Sequence, residues 1–247
     1  MNFRGLYDYT QPLVAASTVL VVGLLLSVGF GAFTAYKIKT ATNTIEVTGS
    51  AKESVVADFA RWTINLSTKT SLGDQQSGLD RLDRAQKNIV AYLKSQGIDS
   101  VETPAPNVNP EYSYPEKSAP ILTDYAVSRQ IVVTSSDVAK ISSLAGNIAP
   151  LTGTSYEVTT NGLELTYAGL AEKRVTLLSG AIRDAKARAE AIAKETGRSV
   201  GTLRSATGGV VQVLPQGGVD ISDYGSYDTQ SMNKDVMVTV RATFSIK

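Results

Sequence analysis

Three aspartates in one long polar segment are the residues of this sequence whose type and spacing could do chemistry. Asp220, Asp223 and Asp228 lie in "LPQGGVDISDYGSYDTQSMNKD". Carboxylates placed close together can serve as general acid and base, or can bind a cation. Their spacing here does not match a calcium-binding loop. The segment therefore leaves a carboxylate-dependent hydrolase open, provided that the fold supplies a pocket.

The composition excludes much of the usual catalytic repertoire. The chain has no histidine and no cysteine, and its 24 lysines and arginines nearly balance 23 acidic residues. Ser-His-Asp and Cys-His triads, thiol redox chemistry, the usual structural zinc sites and haem held by histidine or cysteine are thus excluded. A basic excess that would indicate a nucleic-acid partner is absent. We expect no catalytic residues, no cofactor, no metal ion and no nucleic-acid partner.

A proline-rich stretch, "NVNPEYSYPEKSAPILTDY", carries Tyr112, Tyr114 and Tyr125. Such tyrosines could stack on sugars or bases, but no basic cluster surrounds them. Tyrosines on strands are common in sheets and interfaces. We predict that these three residues belong to an oligomer interface.

The polar segment that carries the aspartates is long, aperiodic and rich in glycine, serine and tyrosine. A loop of this length inside a compact domain is usually functional or disordered. It is either a mobile hairpin tip, or a loop that reaches a neighbouring subunit or lines a ring lumen. For the second case we predict that Asp223, Tyr224 and Tyr227 join the oligomer interface.

Charges of both signs alternate in "RDAKARAEAIAKETGR". The basic residues are Arg183, Lys186, Arg188, Lys194 and Arg198, and the acidic ones are Asp184, Glu190 and Glu195. Mixed charges at helical spacing are typical of a solvated face with ion pairs. A binding site for lipid headgroups is the alternative.

An uncharged run from Pro12 to Tyr36 dominates the N-terminal part of the chain. As a helix it reaches roughly 36 Å, enough to cross a hydrocarbon core of about 30 Å. A secretory signal has a much shorter apolar region, and Tyr36 followed by Lys37 and Lys39 is typical of a membrane interface. We predict a short segment over 1–11, an uncleaved anchor over 12–36 and a linker over 37–43, with a cleaved signal peptide as the alternative.

Small residues recur every fourth position within this anchor. Gly23, Ser27, Gly31 and Ala35 share one helical face and would let a neighbouring helix approach closely. Small residues are also simply common in transmembrane helices. We predict that this ridge is a packing face, and its accidental occurrence is the alternative.

Strands and helices are interleaved over residues 44–247, which we predict to form one domain. The predicted strands are "NTIEVTGSA" ending at Gly49, "FARWTINLSTKT", the proline-punctuated edge strand "VETPAPNVNPEYSYPE" paired with "TDYAVSRQIVVTSS", "TSYEVTTNGLELTY" interrupted by a turn at Asn161-Gly162, and a central last strand "VMVTVRATFSI". The first two are expected in one half-buried sheet.

Three amphipathic helices separate these strands. The first is predicted over 74–96, with Gly97 as its C′ residue. The second begins after an N-cap at Ser136 or Asp137 and is stopped by Pro150. The third is predicted over 168–196, with Gly197 as its stop. Adjacent strands often lack the helix that a parallel crossover requires. We therefore predict an α+β fold with a mixed, mainly antiparallel sheet, preceded by one transmembrane helix.

The order of these segments resembles the SIMPL-domain family of bacterial envelope proteins. The resemblance is carried by "IEVTGSAKESVVADFARWTINLST", "LKSQGIDSVETPAPNVNPEYSY", "DYAVSRQIVVTSSDVAKISSLAG", "AIRDAKARAEAIAKETGRSVGTLRSA" and "VMVTVRATFSI". The sequence departs from the family in "TSYEVTTNGLELTY" and in lacking a proline-glycine pair shortly before the last strand. These departures bear on local loop geometry.

The resemblance implies a non-catalytic protein of the cell envelope that self-assembles into a ring or cage. It also implies a soluble domain in the periplasm and an anchor in the inner membrane, although Lys37 and Lys39 slightly favour a cytoplasmic domain by the positive-inside rule. The implied partners are further copies of the chain and the lipid bilayer. A periplasmic ligand-binding or stress-related sensory module is the alternative.

Overall fold

The computed structural model of the protein describes residues 4–41, 43–116, 119–219, 222 and 224–247. Its described helices are α1 (Arg4–Ala41), α2 (Gln75–Ser95), α3 (Val138–Gly146) and α4 (Leu170–Glu195). Its described strands are β1 (Thr44–Val56), β2 (Phe59–Ser71), β3 (Val101–Glu102), β4 (Asn107–Ser113), β5 (Ile121–Ser135), β6 (Glu157–Thr166), β7 (Val200–Pro215) and β8 (Asn233–Ile246). The predicted α+β class is confirmed.

Helix α1 contains the predicted apolar segment and continues beyond it on both sides. Within it, the 22 residues Ala16–Lys37 are long and apolar enough to cross a membrane, and none of that stretch is buried in the protein. The helix also covers most of the segment predicted as a linker, up to Ala41. The bounds assigned to the anchor and its flanks stay a prediction.

The described chain divides into two compact units. The larger comprises Ala51–Gly180 and Gly209–Thr239, and the smaller comprises Met1–Ser50, Ala181–Gly208 and Val240–Lys247. Strands β1, β7 and β8 and helix α4 each contribute residues to both units. The assignment of residues 44–247 to one domain stays a prediction.

The larger unit contains an antiparallel sheet with the strand order β3-β5-β2-β6, in which β4 also pairs with β5. Trp62 of β2 lies between Val133 of β5 and Leu163 of β6. Helix α2 covers one face with its predicted apolar side, including Leu82 and Leu93. Full burial of each such side chain contributes roughly 1.5–3 kcal/mol, so this cluster is a main source of stability.

Two predictions about β1 are wrong. Strand β1 does not end at Gly49 but continues to Val56, and it lies in a three-stranded sheet of order β1-β8-β7, apart from β2. The chain changes partners where Ala57 N–H donates to Met232 O and Asp58 N–H donates to Thr166 O. Alternation along a strand shows which face is buried, but it does not show which strand is the neighbour.

The Asn-Gly pair in β6 does not form a turn. The pairing of β6 with β2 runs from Gly162 opposite Thr63 to Thr159 opposite Asn65, so one extra residue is accommodated in a continuous strand. This is a β-bulge, which the same residue types also permit. A Cβ on Gly162 would lie 2.9 Å from Thr63 Cβ, so glycine also allows the close approach of the two strands.

The predicted stops of α2 and α4 and the predicted start of α3 are confirmed, but the predicted end of α3 at Pro150 is wrong, because α3 ends at Gly146. Gly97 and Gly197 follow α2 and α4 with φ of 73° and 70°. The Asp137 side chain accepts a hydrogen bond from Lys140 N–H at the start of α3. Pro150, predicted to stop that helix, lies in a 3₁₀ turn at Ala149–Leu151.

Helix α4 in the smaller unit packs on β1 through very small residues. Ala181, Ala185, Ala189 and Ala193 are buried at four-residue spacing. A Cβ on Gly49 would lie 2.2 Å from Ala181 O and 2.3 Å from Ala185 N. The helix backbone therefore lies directly on this glycine, which is why the strand carries glycine there without ending.

Candidate functional site

The loop 216–232 between β7 and β8 is fastened at its first end by Asp235. This side chain is only 2% exposed, and its carboxylate accepts hydrogen bonds from Gly217 N–H at 2.9 Å, Ser54 Oγ at 2.7 Å and Lys52 Nζ at 3.0 Å. The hydrogen bonds from Ser54, Gly217 and Lys52 lower the pKa of Asp235 to about 2. The carboxylate is therefore ionised at neutral pH and holds the start of the loop to β8.

The neighbouring residue, Lys234, fastens the other end. Its buried Nζ donates to Asp228 O at 2.6 Å and to Asp228 Oδ2 at 3.1 Å. The Asp228 carboxylate also accepts from Gln230 N–H and Ser231 N–H. Burial raises the pKa of Asp228, but these hydrogen bonds and the ammonium group outweigh it and hold the pKa below its ordinary value.

The last part of the loop packs along strands of its own unit. Val213 N–H donates to Ser226 O at 2.7 Å, Asp228 N–H donates to Val213 O at 2.8 Å, and Val213 forms a parallel bridge with Tyr227. Leu165 N–H donates to Thr229 O at 2.7 Å. This part of the loop is therefore an ordered addition to the outer edge of β7.

The tip of the loop presents apolar side chains to solvent. Tyr224 is 97% exposed and Val219 is 83% exposed. Asp223, predicted at the interface, and Asp220 lie outside the described residues. Because the described base of the loop is held by two buried charged residues, Tyr224 projects from an ordered support.

The sequence left open that the loop aspartates act as general acid and base or bind a cation, and the contacts of their carboxylates bear on this. Of the three loop aspartates, Asp228 is described, and its carboxylate accepts bonds from within its own unit. Among the residues that the structure describes, no group of three Asp, Glu, His or Cys side chains could hold a metal ion. The arrangement around Asp228 and Asp235 is suited to holding a loop in place.

The other predicted interface tyrosines lie at the edge of the larger unit's sheet. Tyr112 lies near the end of β4 and is 46% exposed, and Tyr114 follows the strand and is 76% exposed. Tyr125 of β5 is half-buried opposite Pro110 of β4. Tyr227 is part-exposed, and its hydroxyl oxygen accepts a hydrogen bond from Tyr167 N–H at 3.3 Å. Their role in an interface stays a prediction.

The small residues of the predicted ridge lie on the surface of α1. Gly23, Ser27, Gly31 and Ala35 are all exposed, and a Cβ on either glycine would meet nothing within 4 Å. The Ser27 hydroxyl donates to Gly23 O at 2.8 Å, so it is already hydrogen-bonded within the helix. The ridge is an open face whose packing partner stays a prediction.

The charged face of α4 has the ion pairs that the sequence indicates. Arg188 Nε lies 2.8 Å from Asp184 Oδ2, and Lys186 Nζ lies 3.6 Å from Glu190 Oε1. Asp184 Oδ2 also accepts a hydrogen bond from Ser50 N–H of β1 at 2.8 Å. This carboxylate therefore links α4 to β1 within the smaller unit.

Sequence reasoning missed the residues that fasten the loop. Lys52 and Ser54 lie 183 and 181 positions before Asp235 in the chain, and no local pattern pairs them with it. One signal was present in "NKDVMVTV", where two charged residues begin a strand whose later positions are buried. Two adjacent charges entering a buried strand require partners on both faces.

A polar cleft in the larger unit was also not anticipated. It has a volume of about 580 Å³ and is lined by Ser67, Thr68, Lys69, Arg81, Glu111, Ala126, Thr154, Ser155, Tyr156 and Glu157. Lys69 Nζ and Glu111 Oε2 form an ion pair of 2.7 Å in its wall. The hydrogen bond that Lys69 donates to the Glu111 carboxylate raises the pKa of Lys69.

Comparison with known proteins identifies a family and leaves the activity open. No curated protein matches the sequence. A family model, described as SIMPL, protein of unknown function (DUF541), matches residues 45–244. This match covers most of the chain and all of its strands but for their outermost residues. The chain belongs to the SIMPL family, whose function is unknown.

Proposed function

We propose that this protein is a non-catalytic, membrane-anchored envelope protein whose SIMPL domain self-assembles into a ring or cage-like homo-oligomer. The observation that carries the anchoring is the fully exposed apolar stretch Ala16–Lys37. An apolar helix of this length is unfavourable in water and favourable in a bilayer. The soluble domain lies in the periplasm, on one side of a single-pass anchor in the inner membrane.

Self-assembly is supported by apolar and aromatic side chains that the fold leaves exposed. Tyr112, Tyr114 and Tyr224 present large rings to solvent. Aromatic residues of this kind are enriched at protein interfaces because they combine a large contact area with few rotatable bonds. The buried carboxylates at the loop, in contrast, are engaged in hydrogen bonds that hold the structure. This distribution supports contact between subunits over catalysis.

Anchoring predicts that the protein resists extraction from membranes. After alkaline carbonate treatment we expect all of the full-length protein in the membrane pellet, and external protease added to spheroplasts should degrade the soluble domain. A variant that lacks residues 12–36 should be released entirely into the soluble fraction. A soluble wild-type product beginning near residue 32 would instead identify a cleaved signal peptide, and protection from protease would reverse the orientation.

If the ridge of small residues on α1 is a packing face, the oligomer should depend on contacts between the anchor helices as well as on the soluble domain. Changing Gly23 and Gly31 together to leucine keeps the helix long and apolar, so insertion should continue while close helix packing is lost. We expect a looser or smaller complex in detergent, measured by size-exclusion chromatography with light scattering. The matched control changes Val21 and Gly29, on the opposite face of the helix, to leucine. If both double variants behave as the parent does, the anchor is only a tether.

The cleft at Lys69 favours a second candidate function, a periplasmic ligand-binding or sensory module. Its lining is polar and carries charges of both signs, which would suit a small polar molecule. Equilibrium dialysis of the purified protein against pools of polar metabolites tests this candidate. Lys69→Ala should abolish any retention that depends on the cleft, and equal retention by wild type and variant would remove this candidate.

A further inference from the structure

A second cleft of the larger unit lies between one side of α2 and the sheet. It has a volume of about 470 Å³ and shares no lining residue with the cleft at Lys69. Its walls carry three basic residues, Lys87, Lys94 and Arg129, and a single acidic one, Asp83. The lining therefore has an excess of positive charge, whereas the whole chain is nearly neutral. This space is called the basic cleft below.

The edge of the sheet is interrupted beside the basic cleft. Strands β3 and β4 both pair with β5, but the four residues between them, 103–106, belong to neither strand. Pro104 and Pro106 lie in this gap, and proline has no N–H to donate to a ladder. The gap lies opposite residues 129–131 of β5. The ladder is therefore interrupted next to Arg129.

Arg129 lies in an otherwise apolar row of β5. Its neighbours on the same face of the strand, Val127 and Ile131, are fully buried. The Arg129 side chain is 17% exposed, and its Nη1 donates to Gln86 Oε1 at 2.7 Å. Its Nη2 lies 3.5 Å from Asp83 Oδ1, and its buried Nε has no hydrogen-bond partner among the residues that the structure describes. A guanidinium in a buried row is costly unless its donors find acceptors, so a further acceptor would stabilise it.

The Asp83 carboxylate is shared between two cations. Lys87 Nζ lies 2.7 Å from Asp83 Oδ2, and its hydrogen bond lowers the pKa of Asp83. The ionised carboxylate thus neutralises one of the two positive charges beside it. One end of the basic cleft keeps a positive charge that this carboxylate does not balance.

Lys94 places a further positive charge at the other end. It is an exposed residue in the last turn of α2, and no ion pair between described residues involves it. It lies seven residues after Lys87, about 10 Å further along the helix axis. Between the two lysines the lining is apolar, at Val90 and Ala91. The basic cleft therefore has a cation at each end and an apolar middle.

We propose that the basic cleft binds a small organic dianion, a dicarboxylate with a short apolar chain. One carboxylate accepts from the Arg129 guanidinium, and the other pairs with Lys94. The planar guanidinium suits a carboxylate because its donors match the two oxygens in spacing. The chain of the ligand lies along Val90 and Ala91, and the volume of the cleft fits a small molecule. This inference goes beyond the proposed self-assembly and does not depend on it.

Adipate is the probe, because it carries a carboxylate at each end of a flexible apolar chain. Hexanoate is the same chain with a carboxylate at one end, and 1,6-hexanediol is the same chain without charge. Binding to the full-length protein in non-ionic detergent at low salt is measured by isothermal titration calorimetry. We expect adipate to bind about fivefold more tightly than hexanoate, because it makes a second ion pair. We expect no binding of hexanediol.

Lys94→Gln separates the two ends of the cleft. It should weaken adipate about fivefold and leave hexanoate unchanged, because only the second carboxylate meets Lys94. Lys194→Gln is the matched control, since Lys194 is also an exposed lysine in the last turn of a helix, α4. This control should change the affinity for neither ligand.

Arg129→Met tests the other end, because methionine suits the apolar row and removes the charge. We expect it to abolish the binding of both carboxylates, in protein whose fold is checked by circular dichroism. If this variant does not fold, the comparison of Lys94→Gln with Lys194→Gln decides.

Three results would overturn the inference. Absence of adipate binding to the wild type would remove the site, and equal affinities for adipate and hexanoate would remove the second carboxylate. Adipate binding that Lys94→Gln leaves unchanged would place the ligand elsewhere on the protein. The subunit number of the same samples tests self-assembly separately, so failure of one proposal is distinguishable from failure of the other.

Discussion

Replacing Gly49 with valine is expected to destabilise the protein by about 3 kcal/mol or more, because the new side chain has no space. The atoms that a Cβ would meet at 2.2 and 2.3 Å, Ala181 O and Ala185 N, belong to the backbone of α4. Backbone atoms cannot rotate away as a side chain can. The helix must shift off β1, and the packing of its buried alanines is lost with it.

The measurement is urea unfolding of the full-length protein in detergent, followed by circular dichroism. Gly146→Ala is the matched control, since a Cβ there meets nothing within 4 Å and Gly146 ends α3 with no positive φ. We expect that control to remain within about 0.5 kcal/mol of wild type. If Gly49→Val unfolds at the same urea concentration as wild type, α4 does not pack on β1 in the way described.

Lowering the pH should reduce the free energy of unfolding in a defined pH range, because Asp235 becomes protonated there. The pKa of Asp235 in the folded protein is about 2, below its value of about 3.9 in an unfolded chain. A lowered pKa contributes stability above pH 4 that is lost as the pH falls through 4 towards 2. The pKa difference corresponds to about 2–3 kcal/mol.

Asp235→Asn isolates this contribution, because asparagine keeps the shape of the side chain and cannot ionise. We expect the variant to be about 2–3 kcal/mol less stable than wild type at pH 6, and the difference to vanish towards pH 2. The free energy of unfolding is measured by urea titration at pH 6, 4, 3 and 2. A difference that stays constant over this range would mean that the ionised carboxylate does not hold Gly217, Ser54 and Lys52.

Local periodicity was sufficient to predict most elements of this fold. Helix α2 follows from apolar residues at spacings of three and four, with Gly97 as its stop, and β8 follows from strict alternation up to Phe244. These features depend on residues close together in the chain. Strand partners do not, so the sequence indicated one sheet for β1 and β2 where the fold uses two.

The candidate site was harder to anticipate for the same reason. Loop length and composition indicated the segment between β7 and β8, but not that it is fastened at its base. Lys52 and Asp235 are 183 positions apart, and their ion pair exists only because β1 and β8 are neighbours. Gly49 was wrongly predicted to end β1, because glycine at a strand position indicates either the end of the strand or the close approach of another backbone. Only the position of α4 distinguishes the two.

The central claim is that the anchored protein assembles with itself. Native mass spectrometry of the full-length protein, extracted in mild detergent, tests it most directly because it counts subunits. The account predicts a single dominant mass at an integral multiple, greater than two, of the 26.2 kDa chain. A spectrum dominated by the 26.2 kDa monomer, from protein that remains folded by circular dichroism, would contradict it.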